Sequence, residues 1–447
     1  MYRLTIKDIL EATGGVLLCG DENTEIKDVC INSKEIKPGD LFVPIIGERV
    51  DAHRFIESAL HTGAATLTSQ HTDIVVSEKP FVYVSDTEKA LQDIGAYVRR
   101  KFKKPVIGVT GSVGKTTTRQ MIATVLSGCL NVYQTEGNLN SQIGVPLTLR
   151  RIDENAEAAV LEMGISEPGQ MEILSDMVKP DICVVTMIGV AHIEFMKTRE
   201  NIRKEKLSII NHMSPDGVLF LNGDDALLAE VKGDTGVRTF TYGTGADCDY
   251  RAENLHMEDY QYVYDFVHGD TRVHVRLNAL GKHNVGNSLV GLAIADYMGL
   301  DLEKAAAGLS EFKGLRQKLI RVPGKYTIID DTYNASPDSM KASLDVLEDL
   351  ETTGKKIAVL GDMFELGENA EQYHYEVGKY VATKKIDELV VVGDLVQDSN
   401  SDINCYSFKD NGEVALYLLS VMQPEDIVLI KGSNGMHLDE VVNNMLG

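Results

Sequence analysis

Residues 105–117, PVIGVTGSVGKTT, pass from a Val- and Ile-rich run through a tight glycine-containing turn into KTTTRQMIATVLSG, an amphipathic stretch that Gly128 is placed to stop. No other feature restricts the possible folds as much. A short apolar run without alternation reads as a strand buried on both faces of a parallel sheet. A strand that feeds a Gly-Ser-x-Gly-Lys-Thr turn into a helix is the context of a phosphate-binding loop. The glycines let the backbone turn sharply and approach an anion. The helix N-terminus then presents unpaired N–H groups and the positive end of its dipole. Thr110, Gly111, Ser112, Val113, Gly114, Lys115, Thr116 and Thr117 are the candidate nucleotide contacts. Lys115 would bridge the β- and γ-phosphates, and Thr116 or Thr117 would offer a hydroxyl to Mg²⁺. The full G-x-x-x-x-G-K-[ST] pattern wants Gly where this chain has Val109, so the loop is a shortened variant. A coincidental glycine-rich turn is the rival reading, and it does not explain the strand before and the helix after.

Further strand-like runs stand at 158–163, 181–188, 217–221 and 237–242, and a second set at 326–331, 356–361, 388–393 and 426–432, with helical segments between. This alternation predicts doubly wound α/β domains with ligands at the C-terminal ends of strands. Between 249 and 280 the pattern changes to strict alternation, YQYVYDFV and TRVHVRL around HGD, which predicts a hairpin and a small antiparallel sheet appended to the central domain. The basic run RRKFKKP at 99–105 reads as a linker ahead of a buried strand, in preference to an anion contact, and EFKGLRQK at 311–318 marks a second boundary. The expected domains are 1–102, small and α/β; 103–312, carrying the phosphate loop in a mostly parallel sheet; and 313–447, Rossmann-like. Three domains also suit a chain of 447 residues at roughly 150 residues each.

Charge narrows the partners. The formal net charge of −23 argues against sequence-independent nucleic-acid binding and against adhesion to anionic membranes. An anionic small substrate is still open, because a few cations or bound metals can invert the field of a cleft. No apolar run approaches the ~20 residues that span a bilayer, and MYRLTIKDIL does not read as a signal peptide. The cysteines at 19, 30, 129, 183, 248 and 405 are scattered without a C-x-x-C pair, as expected of reduced thiols in a cytoplasmic protein.

Two further positions point at the nucleotide. AAVLEMG is a buried run ending in Glu162, and a carboxylate at the end of a neighbouring strand can hold Mg²⁺ against phosphate oxygens. TMIGVAHIEFM sets His192 just past another strand, facing the same crevice; from spacing alone, a metal or phosphate role and a structural one are equally supported. No N-K-x-D guanine motif occurs.

Taken together, TGSVGKT, EMG at 162–164, AHIE at 191–194, HNVGN at 283–287 and DDTYNASP at 330–337 resemble, in order, the sequence blocks of the Mur ligase family of ATP-dependent amide-forming enzymes. The resemblance extends to the N-terminus, where 32–56 is similar to that family's uridine-nucleotide segment. Within the family, DDTYNASPDSM, GDMFELG with His374, and EGNLNSQIGVPLTL look like the members that add D-alanyl-D-alanine to UDP-N-acetylmuramoyl-tripeptide. The diaminopimelate-adding members usually carry D-N-P-R, and this chain has no Asn-Pro. Folylpolyglutamate synthetases share the loop but lack a uridine-type first domain.

The resemblance implies roles residue by residue. Lys115, Glu162, His192 and Lys206 would be catalytic, with Thr116, Glu162, His192 and Lys206 serving two Mg²⁺ ions. Lys206 aligns with the lysine that the family carbamylates with CO₂; its plain reading is a solvated helix lysine, and Lys204 stands close by. Asn284 and Asn287, three apart on a helix, would share a face toward ATP. Arg316 and Asp331 would reach ATP after the third domain closes. Ser33, Gly47, Glu48 and Arg49 would take the uridine-nucleotide substrate, as would Asn138 and Asn140 beside the metal and γ-phosphate. Tyr333, Asn334 and Pro337 would shape the dipeptide site. The expected reaction phosphorylates the tripeptide carboxylate to an acyl phosphate, which the amine of D-alanyl-D-alanine attacks, in a monomeric enzyme of peptidoglycan precursor synthesis.

This chain departs from the family at three places: Asn32-Ser33-Lys34 for Asp-Ser-Arg, Asp51-Ala52-His53 for Asp-Gly-His, and Gly432-Ser433-Asn434 for Gly-Ser-Arg. The last removes a charge where substrate carboxylates should be handled. The rival functions are therefore a Mur-family ligase with another acceptor amine, and a P-loop ATPase that is no ligase.

Overall fold

The run expected at 105–110 forms the strand Val106–Thr110, buried along its whole length and third from one edge of a nine-stranded sheet. The computed structural model describes residues 1–47, 49–70, 78–259, 261–314, 316–393 and 403–447. Across this sheet the order is Thr271–Leu277, Gln261–His268, Tyr250–Glu258, Arg238–Gly243, Val218–Asn222, Ile182–Val185, Val106–Thr110, Ala158–Glu162 and Val132–Gln134. From Tyr250–Glu258 to Val132–Gln134 every neighbouring pair is parallel. The first two strands in that order continue antiparallel.

The hairpin expected from the alternating pattern is therefore present, but it is no separate sheet. Tyr242 and Gly243 pair with Tyr250 and Arg251 and carry the central sheet into it. One face of the hairpin is covered by the core, where Tyr262, Tyr264 and Phe266 lie beneath the helix His283–Tyr297; the alternation is clearest in Thr271–Leu277, whose Val273, Val275 and Leu277 are buried between more exposed Arg272, His274 and Arg276. That core also takes Met121, Ile122 and Leu126 from the helix Lys115–Ser127. A second core on the opposite face gathers Leu161, Leu174, Val185 and Leu219. Each fully buried Val, Leu or Ile contributes about 1.5–3 kcal/mol, so these two layers hold the phosphate loop on a stiff base.

N-terminal to this body lies a five-stranded sheet, ordered Val16–Cys19, Phe81–Tyr83, Ala65–Thr68, Leu41–Phe42 and Val29–Cys30. Its helix Thr87–Lys101 absorbs the front of the basic run, and those cations suit the negative end of the helix dipole. Arg99 donates to the carbonyls of Phe102 and Val178 and pairs with Asp181 at 3.0 Å; Lys101 pairs with Asp8 at 3.0 Å. Arg150 of the central body is fully buried and donates to the carbonyls of Tyr2, Ile26 and Lys27. Residues 99–101 are thus structural, and the passage between the two bodies is short.

The C-terminal body is a six-stranded sheet ordered Lys318–Arg321, Thr327–Asp331, Ile427–Lys431, Lys356–Gly361, Glu388–Val392 and Asn404–Phe408. All its pairs but the first are parallel. The strands Thr327–Asp331 and Ile427–Lys431 end at Asp331 and Lys431, on the side of this sheet that meets the central body. All six cysteines are free thiols. Among the described residues, no helix is long and apolar enough to cross a membrane.

Candidate active site

A cleft of about 1430 Å³ opens between the central and C-terminal bodies, with the phosphate loop on its floor. Gly111 has φ +152°, and a Cβ there would strike the Thr186 hydroxyl. Gly114 has φ +86° and precedes the helix Lys115–Ser127, which has no side-chain cap. Its first N–H groups are left for a ligand, which makes a ready anion seat. The helix Pro337–Asp349 shows the contrast: Ser336 and Ser339 close a capping box over its start. The loop is pinned from the next strand: Ser112 N–H donates to the Met187 carbonyl at 2.8 Å, and the Thr186 hydroxyl to the Val113 carbonyl at 2.6 Å. Lys115 folds back on the loop, its Nζ donating to the Gly111 carbonyl at 2.9 Å. Burial lowers its pKa. The hydroxyls of Thr110 and Ser112 are buried without a hydrogen-bond partner among the described residues.

Glu162 ends the neighbouring strand, in register with Val109. Its side chain is 2% exposed. Oε1 accepts from the Thr116 hydroxyl at 3.1 Å and from Asn140 Nδ2 at 2.8 Å. Oε2 is buried with no hydrogen-bond donor among the described residues, and Arg119 Nε stands 3.5 Å away. A buried carboxylate oxygen without a donor, beside a threonine hydroxyl at a helix start, is the donor set of a hard divalent cation, so these residues fit Mg²⁺.

Lys206, in the helix Arg199–Leu207, is 1% exposed, and its ammonium has no hydrogen-bond or ion-pair partner among the described residues. Burial, and then the nearby charge of Lys115, holds its pKa well below the usual lysine value. It is no solvated surface lysine. His192 lines the cleft with φ 61°, just ahead of the helix Ile193–Met196. Its buried Nδ1 stands 2.5 Å from Glu365 Oε2, an ion-pair approach that is not aligned as a hydrogen bond.

Asn284 and Asn287 do share a face. Asn287 donates to Asn284 at 2.8 Å and accepts from the Thr118 hydroxyl at 2.9 Å, beside Gly114. From the opposite wall Arg316 reaches the loop, with Nη2 3.5 Å from the Thr116 hydroxyl and Cζ 3.0 Å from the Tyr333 ring centroid. Thr116 thus touches Glu162 and Arg316 at once. Asp331 lines the cleft, but its Oδ2 is held by Lys431 at 2.8 Å and by the Ser343 hydroxyl at 2.6 Å. Tyr333 and Asn334 are on the cleft wall, whereas Pro337 is buried at the first position of its helix, where a fixed φ suits a helix start. Asn434 also lines the cleft. His374 is structural: Nε2 accepts from the Met363 N–H at 2.8 Å and holds the turn after Gly361.

The uridine-side residues are not gathered here. Ser33, Gly47 and Arg49 are in the N-terminal body, away from the cleft walls; Glu48 lies outside the described residues. Asn138 is exposed in the segment after Val132–Gln134, and of these six positions Asn140 is the one that meets Glu162. Arg119, Lys431 and Glu365 escaped the sequence reading. Arg119 stands four residues beyond Lys115, a helical spacing that could have revealed it; Lys431 ends a strand; Glu365 lies within GDMFELG, a block that carries the resemblance but says nothing of a contact with His192.

The chain matches three family models: Mur ligase family, catalytic domain, over 25–99; Mur ligase middle domain over 109–295; and Mur ligase, glutamate ligase domain, over 315–434. It is 37% identical to the UDP-N-acetylmuramoyl-tripeptide--D-alanyl-D-alanine ligase of Bacillus subtilis, over 100% of this chain and 99% of that one. It is 35% identical to the enzyme of the same name from Synechocystis, over 95% and 93%. Among solved structures, MurF from Acinetobacter baumannii superposes with a TM-score of 0.92 at 30% identity, covering 100% and 99% of the two chains. MurF ligase from Thermotoga maritima in complex with ADP gives 0.83 at 29%, covering 94% and 96%.

Proposed function

The chain belongs to the Mur ligase family, and from that premise we propose how its cleft carries out the reaction. It is an ATP-dependent, ADP-forming ligase that joins D-alanyl-D-alanine to UDP-N-acetylmuramoyl-tripeptide, a step of peptidoglycan precursor synthesis. The observation that carries the reading is the meeting at Thr116 of the phosphate loop, the strand-end carboxylate of Glu162 and, from the third domain, Arg316. We keep the domain boundaries at 102/103 and 312/313, the enzyme as a monomer, and its place as the cytoplasm, which suits six free thiols.

A carboxylate resists an amine because it is anionic and would have to expel oxide. Transfer of the γ-phosphoryl to the tripeptide carboxylate gives an acyl phosphate; the amine attacks its carbonyl carbon, and phosphate leaves. Such chemistry depends on positioning and charge stabilisation. The uncapped helix start and Lys115 hold the triphosphate, and Asn284 and Asn287 hold ATP from the adjoining helix. Arg316 adds a cation from the far wall and helps exclude water from the acyl phosphate. Tyr333 and Asn334 flank the dipeptide. Ser33, Gly47, Glu48, Arg49 and Asn138 belong to the uridine end.

Thr116 and Glu162, with His192 and Lys206, would hold Mg²⁺, two ions that when bound neutralise the triphosphate and the incoming carboxylate. The neutral amine of Lys206 is the form that attacks CO₂: an N–C bond forms, one proton leaves, and the carbamate carries a negative charge into a site where an ammonium would repel a metal. The burial of Lys206 beside Lys115 supports this.

The test is stoichiometric. ADP and phosphate should appear together only when UDP-muramoyl-tripeptide and D-alanyl-D-alanine are both present. Equal ADP release without the dipeptide would leave a P-loop ATPase. A screen of other amines decides whether Asn434, where the family has Arg, has changed the acceptor.

A further inference from the structure

The third domain touches residues 189–194 of the central domain through two carboxylates. Asp338, in the first turn of Pro337–Asp349, lies so close to Gly189 that a Cβ there would strike it, and it accepts from the Val190 N–H at 3.4 Å. Glu365 comes to 2.5 Å from His192 Nδ1. Both members of that second contact have left-handed backbones, φ 61° for His192 and 62° for Glu365. Non-glycine residues hold such a conformation where their surroundings impose it, and these cluster at functional sites. Gly367, two residues further on, packs against Glu194. The His192 contact is thus built from both sides of the domain boundary. His192 Nδ1 is buried and lacks an aligned partner among the described residues, so a modest turn of the ring would convert the close approach into a hydrogen bond.

We infer that Glu365 is a positioning residue for His192: carried in by the third domain, it engages Nδ1 and leaves Nε2 to face the nucleotide and its metal. This rests on the reading of His192 as a metal-site residue given above. A ligating imidazole normally has its other nitrogen held by a carboxylate or carbonyl, which fixes both tautomer and ring orientation. Here that partner comes from another domain. The metal site is therefore completed by docking of the third domain, and metal affinity reports on docking.

The experiment measures Mn²⁺ binding by electron paramagnetic resonance to the full-length protein with ADP, alongside the thermal midpoint and X-ray scattering of each variant. Glu365→Ala should weaken Mn²⁺ roughly tenfold or more, the usual effect of losing such a partner, with Glu365→Gln intermediate because its amide oxygen can still accept. In the double variant with His192→Ala, the loss should be no greater than for His192→Ala alone. Asp338→Ala, which removes a neighbouring contact of the same boundary and leaves both His192 and Glu365 in place, should weaken Mn²⁺ clearly less than Glu365→Ala. Additive losses, an equal loss in Asp338→Ala, or no loss in Glu365→Ala while His192→Ala weakens binding would each overturn the inference. An unaltered affinity in His192→Ala would instead remove the reading of His192 beneath it.

Discussion

Lys431 Nζ lies 2.8 Å from Asp331 Oδ2, and the two residues are direct neighbours across the parallel strands Thr327–Asp331 and Ile427–Lys431. The same ammonium donates to the Asn334 carbonyl at 2.8 Å. One buried ion pair therefore fixes the turn that carries Tyr333 and Asn334. Breaking such a pair from one side leaves an uncompensated buried charge, at about 3–5 kcal/mol. Lys431→Met should lower the calorimetric transition of the third domain accordingly, and adding Asp331→Asn should recover most of it. A double variant no more stable than the single would show that Lys431 acts by packing alone.

Lys206 should trade stability for function. Its folded pKa lies below its unfolded one, so the unfolded chain binds the extra proton between those values. In metal-free, CO₂-free buffer its burial opposes folding at neutral pH, and that handicap fades as pH rises toward the usual lysine value. Lys206→Met should thus raise the thermal midpoint at pH 7, by a margin that shrinks at higher pH, while ligase activity collapses. Lys206→Ala should regain part of that activity with short carboxylic acids, which replace the carbamate. Near-normal turnover in either variant would exclude Lys206 from the metal site.

Glu162→Gln keeps the shape of the side chain and removes its charge. The rate should fall by about a hundredfold or more, the scale of a lost electrostatic element in a site that excludes water. More Mg²⁺ should be needed for half-maximal rate. Wild-type protein stripped with EDTA should lose turnover and recover it on Mg²⁺ addition; a variant with an unchanged Mg²⁺ titration would contradict the assignment.

At Gly111 the added methyl of an Ala variant meets the Thr186 hydroxyl in a backbone conformation that L residues rarely adopt. Calorimetric ATP binding should be lost or weakened by orders of magnitude, with circular dichroism close to wild type. Tight ATP binding by Gly111→Ala would mean that the loop is free to rearrange.

Much of this molecule could be read before its structure. The strand-loop-helix at 105–127 was legible because its chemistry is local: apolar run, glycines, lysine and hydroxyls stand in sequence order. Glu162 was legible for the same reason, as the end of a buried run. That Asn284 and Asn287 share a face followed from helical spacing, whereas their role toward ATP came from the family resemblance. The partners of Asp331 were not, because Lys431 is 100 residues away, and strand register, not local pattern, brings them together. Glu365 was hidden for a like reason, since its contact crosses a domain boundary. The alternating hairpin was recognised, but alternation cannot show that its edge continues the parallel sheet. The basic run at 99–105 looked like a linker because charge runs do; its first residues instead find carbonyls and carboxylates in folded neighbours.

The two outer domains are attached by different means. Leu139, Ile143 and Leu147 of the central domain enter the apolar core of the first, and Arg150 is plugged into its backbone carbonyls. Among the described residues, the core of the third domain takes in Val190, Ile193 and Leu280 of the central domain, and polar contacts join the two along the cleft, Asp338 with the Val190 N–H and Glu365 with His192. Mechanically this resembles a vice with one fixed jaw. On the function proposed above, the uridine end and the ATP floor would form a single anvil that presents the tripeptide carboxylate to the γ-phosphate, and the more loosely joined jaw would bring the dipeptide. The joinery would then set the order of events: the half to be activated is seated on rigid ground, and the half that attacks arrives with the jaw that shuts out water.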